Sequence, residues 1–204
     1  MRHNDLISHL SLSWFDLTRP YSGKSALIKD FFLEIQDAYS SSDRHYHSLN
    51  HIDALLRMSD KYQGYLNEKD IVDFSIFYHD IIYDVSRFDN EERSALIARQ
   101  RLNEMGLPGE KVLTVAKYIM SSKSHQLSEA ENETDLAWFL DFDMSVLGAE
   151  WEIYYEYANG VRQEYIGRPA QAYKAGRGEF LRHSLLMPFI FHTSEFRQNF
   201  DHRA

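Results

Sequence analysis

The residue types that bind a divalent cation occur at His51, at the adjacent pair His79-Asp80, and at Asp143. His79 and Asp80 fall in an apolar run with Phe74, Phe77, Ile81 and Ile82. A carboxylate sheltered by such neighbours needs compensation, because burying an unpaired charge is costly. A divalent cation would supply it; backbone groups at a helix end are the alternative. His47 and His51 stand four apart, so on a helix they share one face with Leu55 and Met58, directed at the core. His51 sits deeper in the apolar pattern and is the better ligand. His47, at the helix edge, is a candidate for tuning or relaying protons. No Glu follows His47, so this is not the zincin pattern.

Asp141 and Asp143 interrupt the otherwise apolar segment Phe139 to Gly148. At about 100° per helical residue, Phe139, Val146 and Leu147 cluster around the direction of Asp143, and Asp141 points roughly opposite. Asp143 is therefore expected to face inward and need a cationic partner. Asp141 is expected near solvent or the helix start and ranks second. Two His and two Asp form a mixed nitrogen and oxygen set suited to Mn, Fe, Co, Ni or Zn, and less readily to Mg. Such a cation acidifies a bound water and stabilises charge on a phosphoryl oxygen, which is hydrolytic chemistry.

Other residues could complete such a site. Glu91 shares a face with Ser94, Ala95, Ala98 and Leu102, small neighbours that leave room for metal, water or substrate. It is a candidate general base or second-metal ligand, with a plain salt bridge as the alternative. Glu92, three residues after Asp89, reads instead as a capping box. Between Val161 and Arg182 the chain turns basic: Arg162, Arg168, Lys174, Arg177 and Arg182 stand against Glu164 and Glu179. Arg holds phosphate with two parallel hydrogen bonds, so Arg44, Arg162 and Arg177 are candidate substrate holders, surface pairing with acids being the alternative. Tyr154, Tyr155 and Tyr157 either wall a base-binding pocket or pack in the core.

These residues need a scaffold, and the periodicity predicts an all-α one. Helices are expected over about Asp5 to Leu17, Ser25 to Tyr39, Tyr46 to Tyr62, Glu68 to Tyr78, Asp89 to Gly106, Glu110 to Met120, Thr134 to Leu147, Glu150 to Tyr165 and Pro169 to Leu186. The Glu68 to Tyr78 segment is apolar nearly all round, as a buried central helix is. Only 4 Pro and 9 Gly in 204 residues, 44% of them hydrophobic, fit one helical domain over 1–204. Its metal-binding core is expected at about 44–148 and its C-terminal helices at 150–204.

The net charge of −9 argues against duplex nucleic acid or an anionic membrane as partner, though not against a small phosphorylated substrate. The absence of Cys excludes disulfides, thiolate metal sites and cysteine nucleophiles. The first ten residues lack an apolar signal core, and the run Phe74 to Tyr83 is too short to span a bilayer, so a cytoplasmic location is expected.

The order His51, His79-Asp80, Asp143 resembles the signature of the HD superfamily of metal-dependent phosphohydrolases. Arg44-His45-Tyr46-His47, Tyr78 to Tyr83, Asn90-Glu91 with Ser94-Ala95, and Leu140 to Gly148 resemble one branch of it more narrowly. Tyr154, Tyr157, Arg162, Glu164-Tyr165, Tyr173 and Arg177 extend the likeness over most of the chain from Arg44 onward. The resemblance implies an HD-type helical bundle with one or two divalent ions per chain, ligated by His51, His79, Asp80 and Asp143. Asp80, His47 and Glu91 take the catalytic roles. His125 is similar to the extra His that completes a second metal in some HD enzymes, and counts here with the substrate-binding residues. Two departures stand out: Ser124 precedes His125 where the branch has Thr, and Phe196 to Ala204 looks short of the branch's final helix.

The expected reaction is hydrolysis of a phosphoester of a nucleotide or another small phosphorylated metabolite. Two rival readings use the same cage: a metal- or nucleotide-binding sensor without turnover, and a di-iron oxygenase with His125 or Glu91 as added ligands.

Overall fold

The computed structural model describes residues 2–127 and 134–200. Among them every regular element is helical: α1 His3–Thr18, α2 Ser25–Tyr39, α3 Leu49–Lys61, α4 Lys69–Tyr78, α5 Asn90–Met105, α6 Gly109–Ser121, α7 Asp135–Met144, α8 Trp151–Glu164, α9 Ala170–Leu186 and α10 Ser194–Phe200. The expectation of an all-α bundle holds. No helix among the described residues is long and apolar enough to cross a membrane.

Helix α4 is the hub. Every residue from Ile71 to Tyr78 is buried, and the helix packs against α1, α3, α5, α6 and α7. A surface apolar nearly all round has no solvent side, so it is stable only when surrounded, and its two buried polar residues are satisfied: Asp73 accepts from Ser59 and Lys69, and Ser75 donates to the Ile71 carbonyl. Helix α1 shows the complementary pattern, burying Leu6, Leu10, Trp14 and Thr18 in one stripe at four-residue spacing. The Trp14 indole donates to the Ile28 carbonyl at 2.9 Å and meets Phe74, Phe77 and Tyr78 edge-on, tying α1, α2 and α4 together. The α5 to α6 turn depends on Gly106, whose φ of 93° is left-handed; its N–H donates to Asn103 and that of Leu107 to Leu102. These are the two hydrogen bonds of a Schellman stop.

Several boundaries differ from expectation. Helix α3 begins at Leu49, not Tyr46, so His47 lies in an irregular segment ahead of it. Its approach to the site therefore does not come from sharing a helical face with His51. Helix α7 ends at Met144 and tightens into a 3-10 turn over Ser145–Gly148. The capping box at Asp89 does not form: Asp89 pairs with Arg87, and Glu92 pairs with Lys123. A helix does form near the C-terminal end, α10, whose Phe196 packs on Tyr62, Trp138, Phe142 and Phe191. Residues 201–204 of the stretch expected to fall short of a helix lie outside those described. Helices α8 and α9 bury only Val161, Glu164 and Ser184. They wall a cleft more than they fill a core.

Candidate metal centre

Four side chains from two helices and the end of a third converge. His51 comes from the first turn of α3, His79 and Asp80 from the end of α4, and Asp143 from the last turn of α7. His51 Nε2 lies 3.2 Å from His79 Nε2 and 3.2 Å from Asp143 Oδ1, and His79 Nε2 lies 3.2 Å from Asp80 Oδ2. Asp143 Oδ1 is 3.8 Å from His79 Nε2. Ligand atoms of His51, His79 and Asp80 all fall within 4.8 Å of one another, so these three could hold a metal ion. Both imidazoles are nearly sealed, with side chains 2% and 1% exposed, whereas Asp80 and Asp143 are 17% and 15% exposed and form the open side.

The surroundings aim these donors. His79 Nδ1 donates to the Ile76 carbonyl at 2.9 Å, leaving Nε2 to face the cluster, which is how a ligating imidazole is held. The Asp80 N–H donates to the buried Tyr39 hydroxyl at 3.0 Å. Ser94 Oγ accepts from the Ile82 N–H and donates to the Ile82 carbonyl, which anchors the turn beyond Asp80. His125 adopts a left-handed backbone, φ 52°, and its Nε2 contacts Asp143 Oδ2 at 2.8 Å.

The electrostatics favour a cation. Burial alone would raise the Asp80 carboxyl, but the charges of His79 and His47 hold it far below the usual carboxylate range. Asp143 behaves likewise: burial opposes ionisation, and hydrogen bonds from His125 and His51 win. Burial pulls His79 down, yet Asp80 and Asp143 carry it up to about 9. His51 stays below its usual value, chiefly because it is buried. Two ionised carboxylates around two inward Nε2 atoms leave a site that takes up positive charge, and its nitrogen and oxygen donors could hold a metal ion.

The remaining expected residues fall into two groups. His47 reaches the open side, its Nε2 4.0 Å from Asp80 Oδ2 and its ring stacked on Tyr83 at 4.2 Å. Glu91, half-buried in the first turn of α5, has no hydrogen-bond partner among the described residues and lines a polar cleft of about 330 Å3 with His47, Asp80, Lys123, His125 and Asp143. Arg177 lines a larger cleft of about 640 Å3, donates to the Tyr157 hydroxyl at 2.8 Å and lies over the Tyr157 and Phe180 rings.

Arg44 and Arg162 are both engaged by carbonyls of the protein itself. The Arg44 guanidinium donates to the carbonyls of His47, Asp80 and Ile81 and covers the Tyr39 ring, so its fork braces the site from behind. Arg162 donates to the Tyr165 carbonyl, lies over Tyr173 and borders neither cleft. Asp141 is not solvated: it is 1% exposed and accepts from the N–H groups of His192 and Thr193 and from the Thr193 hydroxyl. It anchors the segment leading into α10, away from the cluster.

One residue of the site escaped the sequence reading of roles. Glu164, at the end of α8 with a fully buried side chain, accepts the N–H groups of His45, Tyr46 and His47 on Oε1 at 2.9, 2.7 and 2.9 Å. Its Oε2 takes His47 Nδ1 at 2.7 Å and the Tyr83 hydroxyl at 3.0 Å. Burial opposes its charge, but His47 and these amides bring the carboxyl down to about 2. The only local signal was an acid within a basic stretch, and its partners lie 81 to 119 residues upstream.

The larger cleft is walled by Tyr46, Tyr83, Tyr157, Tyr165, Phe88 and Phe180 and opens at His47 and Asp143. Comparison with protein-family models, with curated proteins and with solved structures finds no match for this chain.

Proposed function

We propose that this chain is a metal-dependent phosphohydrolase of the HD type, with His51, His79, Asp80 and Asp143 as ligands of a divalent cation. The observation that carries the reading is the convergence of these four donors, two sealed imidazoles behind two half-open carboxylates, at the meeting point of an aromatic cleft and a polar one. When bound, the cation supplies an acidified water and neutralises charge on a phosphoryl oxygen.

The protein's own groups do the rest. His47 presents Nε2 beside Asp80 on the open side and exchanges a proton with the reacting oxygens. Glu91, which faces the polar cleft beside Lys123, is placed to orient water. Arg87 lines both clefts, Lys123 the polar one, and Arg168 and Arg177 the aromatic one, so these are the cations that border the space open to a phosphate. The aromatic walls exclude water and seat the organic part of a small phosphorylated substrate, a nucleotide among them.

The test is a broad phosphoester panel, nucleotides included, run with metal-replete protein and with His79→Ala. Turnover by the parent and none by the variant supports the reading. No product from any ester overturns it, and tight nucleotide binding without product points to a sensor instead.

A further inference from the structure

Helix α8 reaches back over the chain to grip the segment that carries His47. Three consecutive N–H groups, from His45, Tyr46 and His47, converge on Glu164 Oε1, and the second oxygen faces His47 Nδ1 at 2.7 Å. The close approach is built into α8: a Cβ added at Gly160 would stand 3.1 Å from Tyr46 Cβ and 3.4 Å from backbone atoms of His45 and Tyr46. The imidazole is further pinned by stacking on Tyr83, whose hydroxyl donates to the same Oε2 at 3.0 Å. Such a carboxylate accepts the Nδ1 proton and leaves Nε2 as the nitrogen turned towards Asp80.

We propose that Glu164 is a positioning residue that fixes the tautomer and aim of His47, so that in the metal-loaded protein, where the cation and not the ring's own charge balances Asp80, the neutral ring's Nε2 lone pair takes the proton lost by the attacking water. This rests on the phosphohydrolase reading above. As the water oxygen bonds to phosphorus, the ester P–O bond breaks and its electron pair stays on the leaving oxygen. The water proton goes to His47 Nε2, and the leaving oxygen is protonated from solvent. Glu164 touches neither water nor substrate; it acts through the ring. The same contact couples α8, whose Tyr157 and Val161 line the aromatic cleft, to the reacting centre.

Glu164→Gln tests this without a change of shape. The three amides all demand an acceptor at Oε1, so the new amide oxygen must stay there and the NH2 must face His47 Nδ1. Nδ1 then accepts, the proton moves to Nε2, and the lone pair is lost from the reacting side. With metal-loaded protein, kcat should fall about a hundredfold or more with KM within about threefold. In a His47→Gln background the same change should alter kcat less than about twofold, because its only route of action is gone. The independent readout is nuclear magnetic resonance of the His47 ring: a downfield Nδ1–H signal in the parent, absent in Glu164→Gln. An unchanged kcat, effects that multiply in the double variant, or a parent ring lacking the Nδ1–H would each overturn the proposal. The parent spectrum decides even if the variant does not fold. If the parent hydrolyses nothing, the functional reading fails, and the spectrum still shows whether Glu164 sets the ring.

Discussion

Asp141 and Asp143 lie two residues apart on α7, yet the structure gives them different work, and exchanging each for Ala separates the two. Asp141→Ala removes the acceptor of two backbone N–H groups and one hydroxyl at 2.7, 2.8 and 2.7 Å, in a place only 1% exposed. Each orphaned buried donor costs about 1–3 kcal/mol, and the Thr193 hydroxyl can rotate away, so the two amides dominate at about 2–6 kcal/mol. Burial also pushes the Asp141 carboxyl up to about 7 against the pull of its donors, which favours the lower half of that range at neutral pH. For a domain of this size about 2–4 °C is lost per kcal/mol, so the melting temperature should drop by roughly 4–16 °C. The rise on adding metal should survive. Asp143→Ala should differ in its response to metal. It takes an oxygen from the cluster and the partner of His125 and His51, a loss that relief of like-charge repulsion with Asp80 offsets in part, so the metal-free protein also melts below the parent. The metal-induced rise should vanish; at a hundredfold excess over Kd that increment is about 2.7 kcal/mol in the parent. The assay is differential scanning calorimetry with and without a divalent ion. A rise lost in Asp141→Ala and kept in Asp143→Ala would falsify the assignment.

Further outcomes follow from the charges. Glu164 is depressed to about 2 from a usual 4.5, so its contribution is complete above pH 4.5 and fades as pH falls through 2. That is about 3 kcal/mol, and acid titration of Glu164→Gln should lack that part of the parent's loss. His79 is raised to about 9, so in metal-free protein its proton occupies the site below that pH. Metal affinity should therefore climb between pH 6 and 9, with proton release visible by calorimetry in buffers of different ionisation enthalpy. Affinity independent of pH over that window would contradict the geometry. Arg44→Met strands the carbonyls of His47, Asp80 and Ile81, so stability should fall by about 2–4 kcal/mol. A variant as stable as the parent but with a raised KM would return Arg44 to phosphate binding.

The scaffold was legible because its signals are local. The stripe Leu6, Leu10, Trp14 and the largely apolar α4 each announce a helix and its buried face within a few turns. The His and Asp positions were legible too, since acids and imidazoles inside apolar runs ask for compensation. What stayed hidden depends on distant partners. Asp141 was expected opposite Asp143 by helical angle alone, but the chain folds 192–193 back over that side and buries it. His47 was placed on α3 by its spacing from His51, whereas Glu164 takes the N–H groups of residues 45–47 and holds them outside the helix. Arg44 offered a phosphate-like fork, and only the tertiary structure shows three carbonyls already filling it.

The most direct measurement is the metal content and binding isotherm of the parent beside a His51→Ala, His79→Ala double variant. Purified without added metal and then titrated with a first-row divalent ion, the parent should bind at least one equivalent per chain, and the folded double variant none at comparable concentration. A parent that binds no ion, or a variant that binds as the parent does, would show that these imidazoles and carboxylates serve the fold alone.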